Sequence, residues 1–258
     1  MTNRTVGIIG AGRIARILLG GWQRAGAMPA RVVAGDPDPA ALARLKQAHP
    51  GIIVAGADNT QPAAQDFVVL SIPRTAIETA TAQIRSTLRP NAIVISPIGQ
   101  HLPIATLVPL LGGFDRIVRV MPNAPSIVNA GFNPLVLSPA LSDADRQAVI
   151  DLWKPLGDCP VVAEELLPAY AILTARGPAH FWFQFYELIR LAQAAGISQP
   201  QALAALEKML AGAVATMARS GLTSEQVRDL IPTNPLGPAE ATLIDLYRST
   251  TAGIIPQK

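Results

Sequence analysis

The rhythm of hydrophobic and polar positions changes once along this chain. In the first part, short apolar runs alternate with amphipathic stretches. TVGIIG (5–10), RVVAG (31–35), FVVLSI (67–72), AIVIS (92–96) and the run at 117–121 are uninterrupted enough to predict strands buried on both faces. Helical patterns follow at 12–25, from Asp38 onward with Pro39 in the first turn, and at 75–87. Strands that alternate with helices predict a parallel sheet with helices on both faces. A short strand at 134–137, a helix at 143–154 and a strand at 159–163 close this part. Beyond Ala163 the strand signals stop. Residues 164–175, 178–195, 199–219 and 223–230 all carry a helical pattern, with capping-box spacing at Thr223 and Gln226. The predicted class is α/β, a doubly wound parallel sheet over 1–163 followed by an all-α domain over 164–258. The helix FWFQFYELI (181–189) is apolar on all sides and must be covered on most of them. So few helices can hardly cover it alone, which predicts a homodimer or higher homo-oligomer through the C-terminal helices, the alternative being a well-packed monomeric core.

Composition narrows the function. Half of the 258 residues are hydrophobic and 15% are charged, ample for a core and wrong for a disordered chain. The net charge is +3 and the basic residues are scattered, so nucleic acid is not the expected partner. Cys159 is the only cysteine, which fits a reducing cytoplasm. The most apolar helical stretch, 202–218, carries Glu207 and Lys208 at its middle and is too short and too interrupted to span a bilayer. The expectation is a cytoplasmic protein with no membrane, nucleic-acid or metal partner.

The chemistry begins at VGIIGAGRIA. Gly10-x-Gly12-x-x-Ala15 follows the first strand and opens the first helix. Gly10 permits the tight turn, Gly12 lets the backbone approach a pyrophosphate at the helix N-terminus, and Ala15 lets helix and strand pack closely. In this strand–loop–helix context the pattern predicts a Rossmann-type dinucleotide site over Gly10, Ala11, Gly12, Arg13 and Ile14. Asp36 ends the second strand. Either it accepts hydrogen bonds from the adenosine ribose, which favours NAD over NADP, or it only caps the next helix. Arg13 argues the other way, since it can meet a 2′-phosphate.

Four stretches then line up in order: GIIGAGRIA, IVRVMPNAPSIVNAG (117–131), LTARGPAHFWFQFYEL (173–188) and VRDLIPTNPLGPAEA (227–241). Together they resemble pyrroline-5-carboxylate reductase, an enzyme that reduces a cyclic imine to proline with a nicotinamide cofactor. The resemblance implies a Rossmann domain followed by a dimerising helical domain. It implies cofactor contacts at Ser71, Ile72 and Pro73, with Ser96, Pro97 and the residues up to Gly99 beside the nicotinamide. It puts Asn123 in the substrate cleft. It also implies a turn before Pro178, with Gly177 and Ala179, that holds the substrate carboxylate on backbone N–H groups.

The sequence departs from the family in two places. The family's loop before its last shared helix runs roughly Ser-Pro-Gly-Gly-Thr-Thr, and its first threonine is thought to bond the imine nitrogen. Here residues 234–239 read Asn-Pro-Leu-Gly-Pro-Ala, so Pro238 stands for that threonine and offers neither a hydroxyl nor an N–H. At the second place, Arg176 replaces a serine and His180 a tyrosine. Arg176 either pairs with the substrate carboxylate or turns to solvent or to a protein carboxylate. His180 either donates a proton in catalysis or packs against Phe181 and Phe185. His101, just past the fifth strand, is expected to be a solvated loop residue. A helix the family carries beyond Tyr247 is expected to be absent.

Two functions compete. One is a reductase that uses NAD or NADP on a small cyclic imine or a related C=N or C=O acid. The other is a relative that binds the nucleotide as a sensor or interaction partner, without turnover. A β-hydroxyacid dehydrogenase needs a lysine on the first helix of the second domain, and 178–195 contains none.

Overall fold

The computed structural model describes residues 4–98 and 102–252. It divides into two compact units, 1–176 and 177–258. Residues 164–176, which the sequence pattern groups with the helices, are counted with the first unit.

The first unit is built on a seven-stranded sheet. Its strands are β1 (Thr5–Ile9), β2 (Arg31–Gly35), β3 (Ile53–Val54), β4 (Phe67–Leu70), β5 (Ile93–Ser96), β6 (Ile117–Val120) and β8 (Leu135–Leu137), in the order β3-β2-β1-β4-β5-β6-β8. All neighbours are parallel except β6 and β8. The order reverses between β1 and β4, which leaves a crevice beyond their C-terminal ends. β7 (Gly131–Phe132) and β9 (Gly157–Asp158) form a separate parallel pair. The predicted strand over 159–163 makes only an isolated bridge, Leu135 to Val161.

Alternate strand residues feed two apolar layers. Val6, Ile8, Phe67, Val69, Ile93 and Val118 pack on one side with Leu18, Leu19 and Trp22 of α1 (Arg13–Arg24). Ile9, Val68, Leu70 and Val94 pack on the other, with residues of α4 (Ile77–Ile84) and α5 (Ile104–Leu110). Both strand faces are therefore apolar, as the unbroken hydrophobic runs require. The short α3 (Thr60–Ala63) lies so close to β1 that a Cβ on Gly7 would sit 1.8 Å from the Pro62 carbonyl oxygen. α2 (Pro39–Ala48) is capped by Asp38, whose side chain accepts from the Ala40 N–H at 2.8 Å. α6 (Asp143–Trp153) starts in a capping box between Ser142 and Asp145. Burial opposes ionisation of Asp145, but bonds from Ser142 and Arg116 outweigh it and hold its carboxyl below the ordinary value.

After α7 (Leu167–Tyr170), residues Ala171–Arg176 are π-helical and lead straight into α8 (Gly177–Ala194). The second unit continues with α9 (Gln199–Arg219), α10 (Ser224–Asp229) and α11 (Glu240–Thr251). Among its described residues, the buried apolar side chains are Ile189 and Ala202, while Phe183, Tyr186 and Met217 are 68%, 72% and 70% exposed. No described helix is long and apolar enough to cross a membrane, and no cluster of metal-ligating side chains occurs among the described residues.

Candidate functional site

The site begins where β1 ends. Gly10 adopts φ +101, and a Cβ there would lie 2.2 Å from the Ser71 carbonyl oxygen. Only glycine makes this turn so close to the next strand. Gly12 differs: its φ is −79, it is the N-cap of α1 with no side-chain cap, and nothing lies within 4 Å of a Cβ added to it. Open space therefore borders the start of α1, which has no side-chain cap. Ala15 is fully buried, as the packing of helix on strand requires.

Asp36 holds this loop in shape. One carboxylate oxygen accepts from the Ala11 N–H at 2.6 Å and the other from the Asp38 N–H at 2.8 Å. Its role is thus broader than either sequence expectation. It fastens the glycine turn to β2, while Asp38 and not Asp36 caps α2.

Two cavities flank the glycine turn. One, about 460 Å³, is lined by Gly12, Asp36, Asn59, Ile72, Pro73 and Gln83, with Asn59 bonded to Gln83 at 2.7 Å. The other, about 640 Å³, is lined by Gly12, Arg13, Arg16, Ser71, Pro97 and Ile98. Ile14 also borders it and packs its other side on the core. The hydroxyl of Ser71, a residue common to both cavities, is buried with no hydrogen-bond partner among the described residues. The fully buried Ser96 hydroxyl at the end of β5 is also unpartnered. An uncapped helix N-terminus, a glycine that leaves room before it, two adjoining cavities and an orphaned hydroxyl between them fit an elongated, doubly phosphorylated ligand.

The remaining predicted residues fall elsewhere in the chain. Asn123 is buried. Its amide oxygen accepts from the Ser126 hydroxyl and the Phe132 N–H, each at 3.2 Å, and its amide nitrogen donates to the Thr174 carbonyl at 3.3 Å. In an α-helix that carbonyl would accept from residue 178, which is a proline without an N–H. The turn expected before Pro178 is instead the π-helical stretch that ends at the exposed Arg176, so no free helix N-terminus precedes Gly177. Ala179 is exposed on the first turn of α8. His180 is half-buried, and its ring meets Tyr247 of α11 edge-on at 5.1 Å rather than stacking on the pair formed by Phe181 and Phe185. Pro238 sits exposed in a 3-10 turn, Gly237–Ala239. That turn is held by its own bonds: Arg228 grips both Glu240 oxygens at 2.7 and 2.8 Å, and Asn234 reaches Glu240 at 3.3 Å. Gly99 and His101 lie outside the described residues.

Comparison with known proteins agrees with this geometry. A family model described as NADP oxidoreductase, coenzyme F420-dependent, matches residues 5–99. The chain is 27% identical to pyrroline-5-carboxylate reductase of Pseudomonas aeruginosa over 259 residues, covering 100% of this chain and 93% of that one. It is 23% identical to the Escherichia coli enzyme, over 88% of this chain and 84% of that one. The chain is similar to pyrroline-5-carboxylate reductases along nearly its whole length. A solved pyrroline carboxylate reductase from Plasmodium falciparum, with NADP bound, shares the fold with a TM-score of 0.76 over 99% of this chain and 95% of its own, at 21% identity. These likenesses support a nicotinamide-dependent oxidoreductase with the expected sheet-then-helices architecture.

Sequence reasoning passed over Arg119 and Glu164. Arg119 lies inside the otherwise apolar β6 and is 4% exposed. A single charge within IVRVM was the available signal.

Proposed function

We propose that this chain reduces a small cyclic imine carboxylate, or a closely related C=N or C=O acid, with a reduced nicotinamide dinucleotide. The observation that carries the reading is the open N-terminus of α1 behind Gly12, set between two cavities. When bound, the dinucleotide supplies the hydride. The residues of the chain bind, orient and hold protons. The first-turn N–H groups of α1 take the pyrophosphate charge. Asp36 lines the cavity on the adenosine side, where its negative charge disfavours a 2′-phosphate and makes NAD the better cofactor. Ser71, Ile72 and Pro73 form the ridge between the cavities, and Ser96 and Pro97 flank the nicotinamide end.

Arg176, exposed at the end of the π-helical stretch, serves the substrate carboxylate, and His180 is the proton donor for the product nitrogen. Asn123 serves by holding the Thr174 carbonyl, so the segment before Pro178 keeps its shape. Pro238 keeps the turn rigid and gives no hydrogen bond. The exposed apolar faces of α8 and α9 pair with a second copy of the chain, making a homodimer.

The test uses purified protein, NADH or NADPH, and a panel of cyclic imine and keto acids, followed by loss of the reduced-nicotinamide absorbance. Turnover with an imine acid, faster with NADH, is the expected result. Tight cofactor binding without oxidation across the panel would favour the sensor reading instead. Replacing Asp36 with serine should shift preference toward NADPH.

A further inference from the structure

We propose that Arg119 and Glu164 form a positioning pair that sets the nicotinamide end of the site; this rests on the dinucleotide reading given above. Arg119 is charged and 4% exposed in a strand whose other residues, Ile117, Val118 and Val120, are wholly buried and apolar. An apolar side chain would fill such a place at lower cost, because a buried cation must recover its lost hydration through its partners. The partners therefore indicate what the charge does.

They converge on the C-terminal edge of the sheet. Arg119 pairs in register with Ser96, the last residue of β5. One guanidinium nitrogen meets the Glu164 carboxylate at 2.8 Å. Another donates to the Ile98 carbonyl at 3.4 Å. The same Glu164 oxygen accepts from the Ile104 N–H at 2.9 Å, where α5 starts. One ion pair, its guanidinium buried and its carboxylate half-buried, thus joins β6, the exit of β5, the start of α5 and the segment that leads toward α7. Pro97 and Ile98 line the larger cavity beside Gly12. A grip on the Ile98 carbonyl fixes that wall and leaves the adenosine-side cavity untouched, since neither Arg119 nor Glu164 borders it.

The pair acts through Ile98 and touches no ligand itself, so its removal has a one-sided signature. Glu164→Ala is the primary variant, because the Glu164 side chain is 32% exposed and water can take its place at the guanidinium. Arg119→Lys keeps the charge but not the fork, and tests the geometry. Two measurements follow. In protein labelled with carbonyl carbon-13 at isoleucine, the Ile98 resonance should move in Glu164→Ala while those of Ile8 and Ile93 stay in place. NADH affinity should fall about tenfold, the scale of one charged hydrogen bond, while affinity for ADP-ribose, which lacks the nicotinamide, stays unchanged.

An unmoved Ile98 resonance overturns the proposal. So does an equal fall for NADH and ADP-ribose, or no fall for either, which reduces the pair to a general stabiliser. If the unaltered protein binds neither compound, the dinucleotide reading fails and the positioning role fails with it, while the Ile98 resonance still decides whether the grip exists.

Discussion

The two units bury apolar surface in different ways. In the first, the central strands are wholly enclosed between two helical layers, and Trp22, Trp153 and Phe67 have no solvent exposure. In the second, an equally apolar helix leaves Phe183 and Tyr186 outside, and α9 leaves Met217 outside. A sheet offers each helix a broad face, whereas a few helices can cover only stripes of one another. The first unit is thus complete as a single chain. The second, on our reading, is completed by a second copy. Burying an aromatic or methionine side chain stabilises by about 1.5–3 kcal/mol, and a twofold interface counts each one twice.

Breaking that interface should give the largest effect. The double variant Phe183→Glu, Met217→Glu is expected to raise the dimer dissociation constant at least about 100-fold. Sedimentation should show a monomer, with the helical signal of the second unit melting early and the melting of the first unit unchanged. A wild-type protein that is monomeric, with both units melting cooperatively, would falsify the comparison.

The first unit allows a sharper contrast between two neighbouring glycines. Gly10→Ala places a Cβ on positive-φ backbone against the Ser71 carbonyl, so it should destabilise by about 2–4 kcal/mol. Gly12→Trp meets open space and should leave the melting temperature nearly unchanged, while abolishing dinucleotide binding by calorimetry. Unchanged affinity in Gly12→Trp would remove the pyrophosphate from this loop.

Much of this unit could be read from the sequence for the same reason that it is self-contained. Strands buried on both faces spell out unbroken apolar runs, and the glycine turn is spelled by its neighbours. The features missed are those whose pattern is set by tertiary contacts. β3 is two residues long with Ile53 and Val54 half exposed, too short for any period. α5 is flanked by Pro103 and contains Pro109, so it resembles a loop. The apolar stretch 159–163 resembles a strand yet makes a single bridge, in which Leu135 alone bonds Pro160 and Val162 on the free edge of β8. The π-helical stretch before Pro178 could not be foreseen, since its freed carbonyl is satisfied by Asn123, 51 residues away. The helices of the second unit could be read, but which of their faces are covered could not, because on our reading that depends on a partner.

A smaller effect is expected from the loop of the second unit. Its turn is already fixed by Arg228, Asn234 and Glu240, so a hydroxyl can be added without rebuilding it. Pro238→Thr should raise the turnover number with an imine substrate about tenfold, the worth of one hydrogen bond, with little change in KM. An unchanged rate would mean that the protein has moved proton donation elsewhere, and His180→Gln then becomes the decisive variant.

The smallest effect lies far from the site and separates the units by pH. His49 is buried at the end of α2 with its ring against Gln23, and burial lowers its pKa from the ordinary 6.5. The unfolded chain therefore takes up this proton first as the pH falls. The contribution of His49 is whole above 6.5, declines below it, and levels off once the folded value is passed. Asp145 acts in a lower window: its carboxyl is held below the ordinary 3.8, so its contribution is present above 3.8 and is lost as the pH falls through the folded value. Urea midpoints of the first unit should thus fall between neutral and mildly acidic pH, and His49→Gln should flatten that slope. Dimer dissociation should not follow it, because His49 belongs to the unit that completes its own core. A slope that persists in His49→Gln, or that appears in the dimer dissociation constant, would assign the titration to another group.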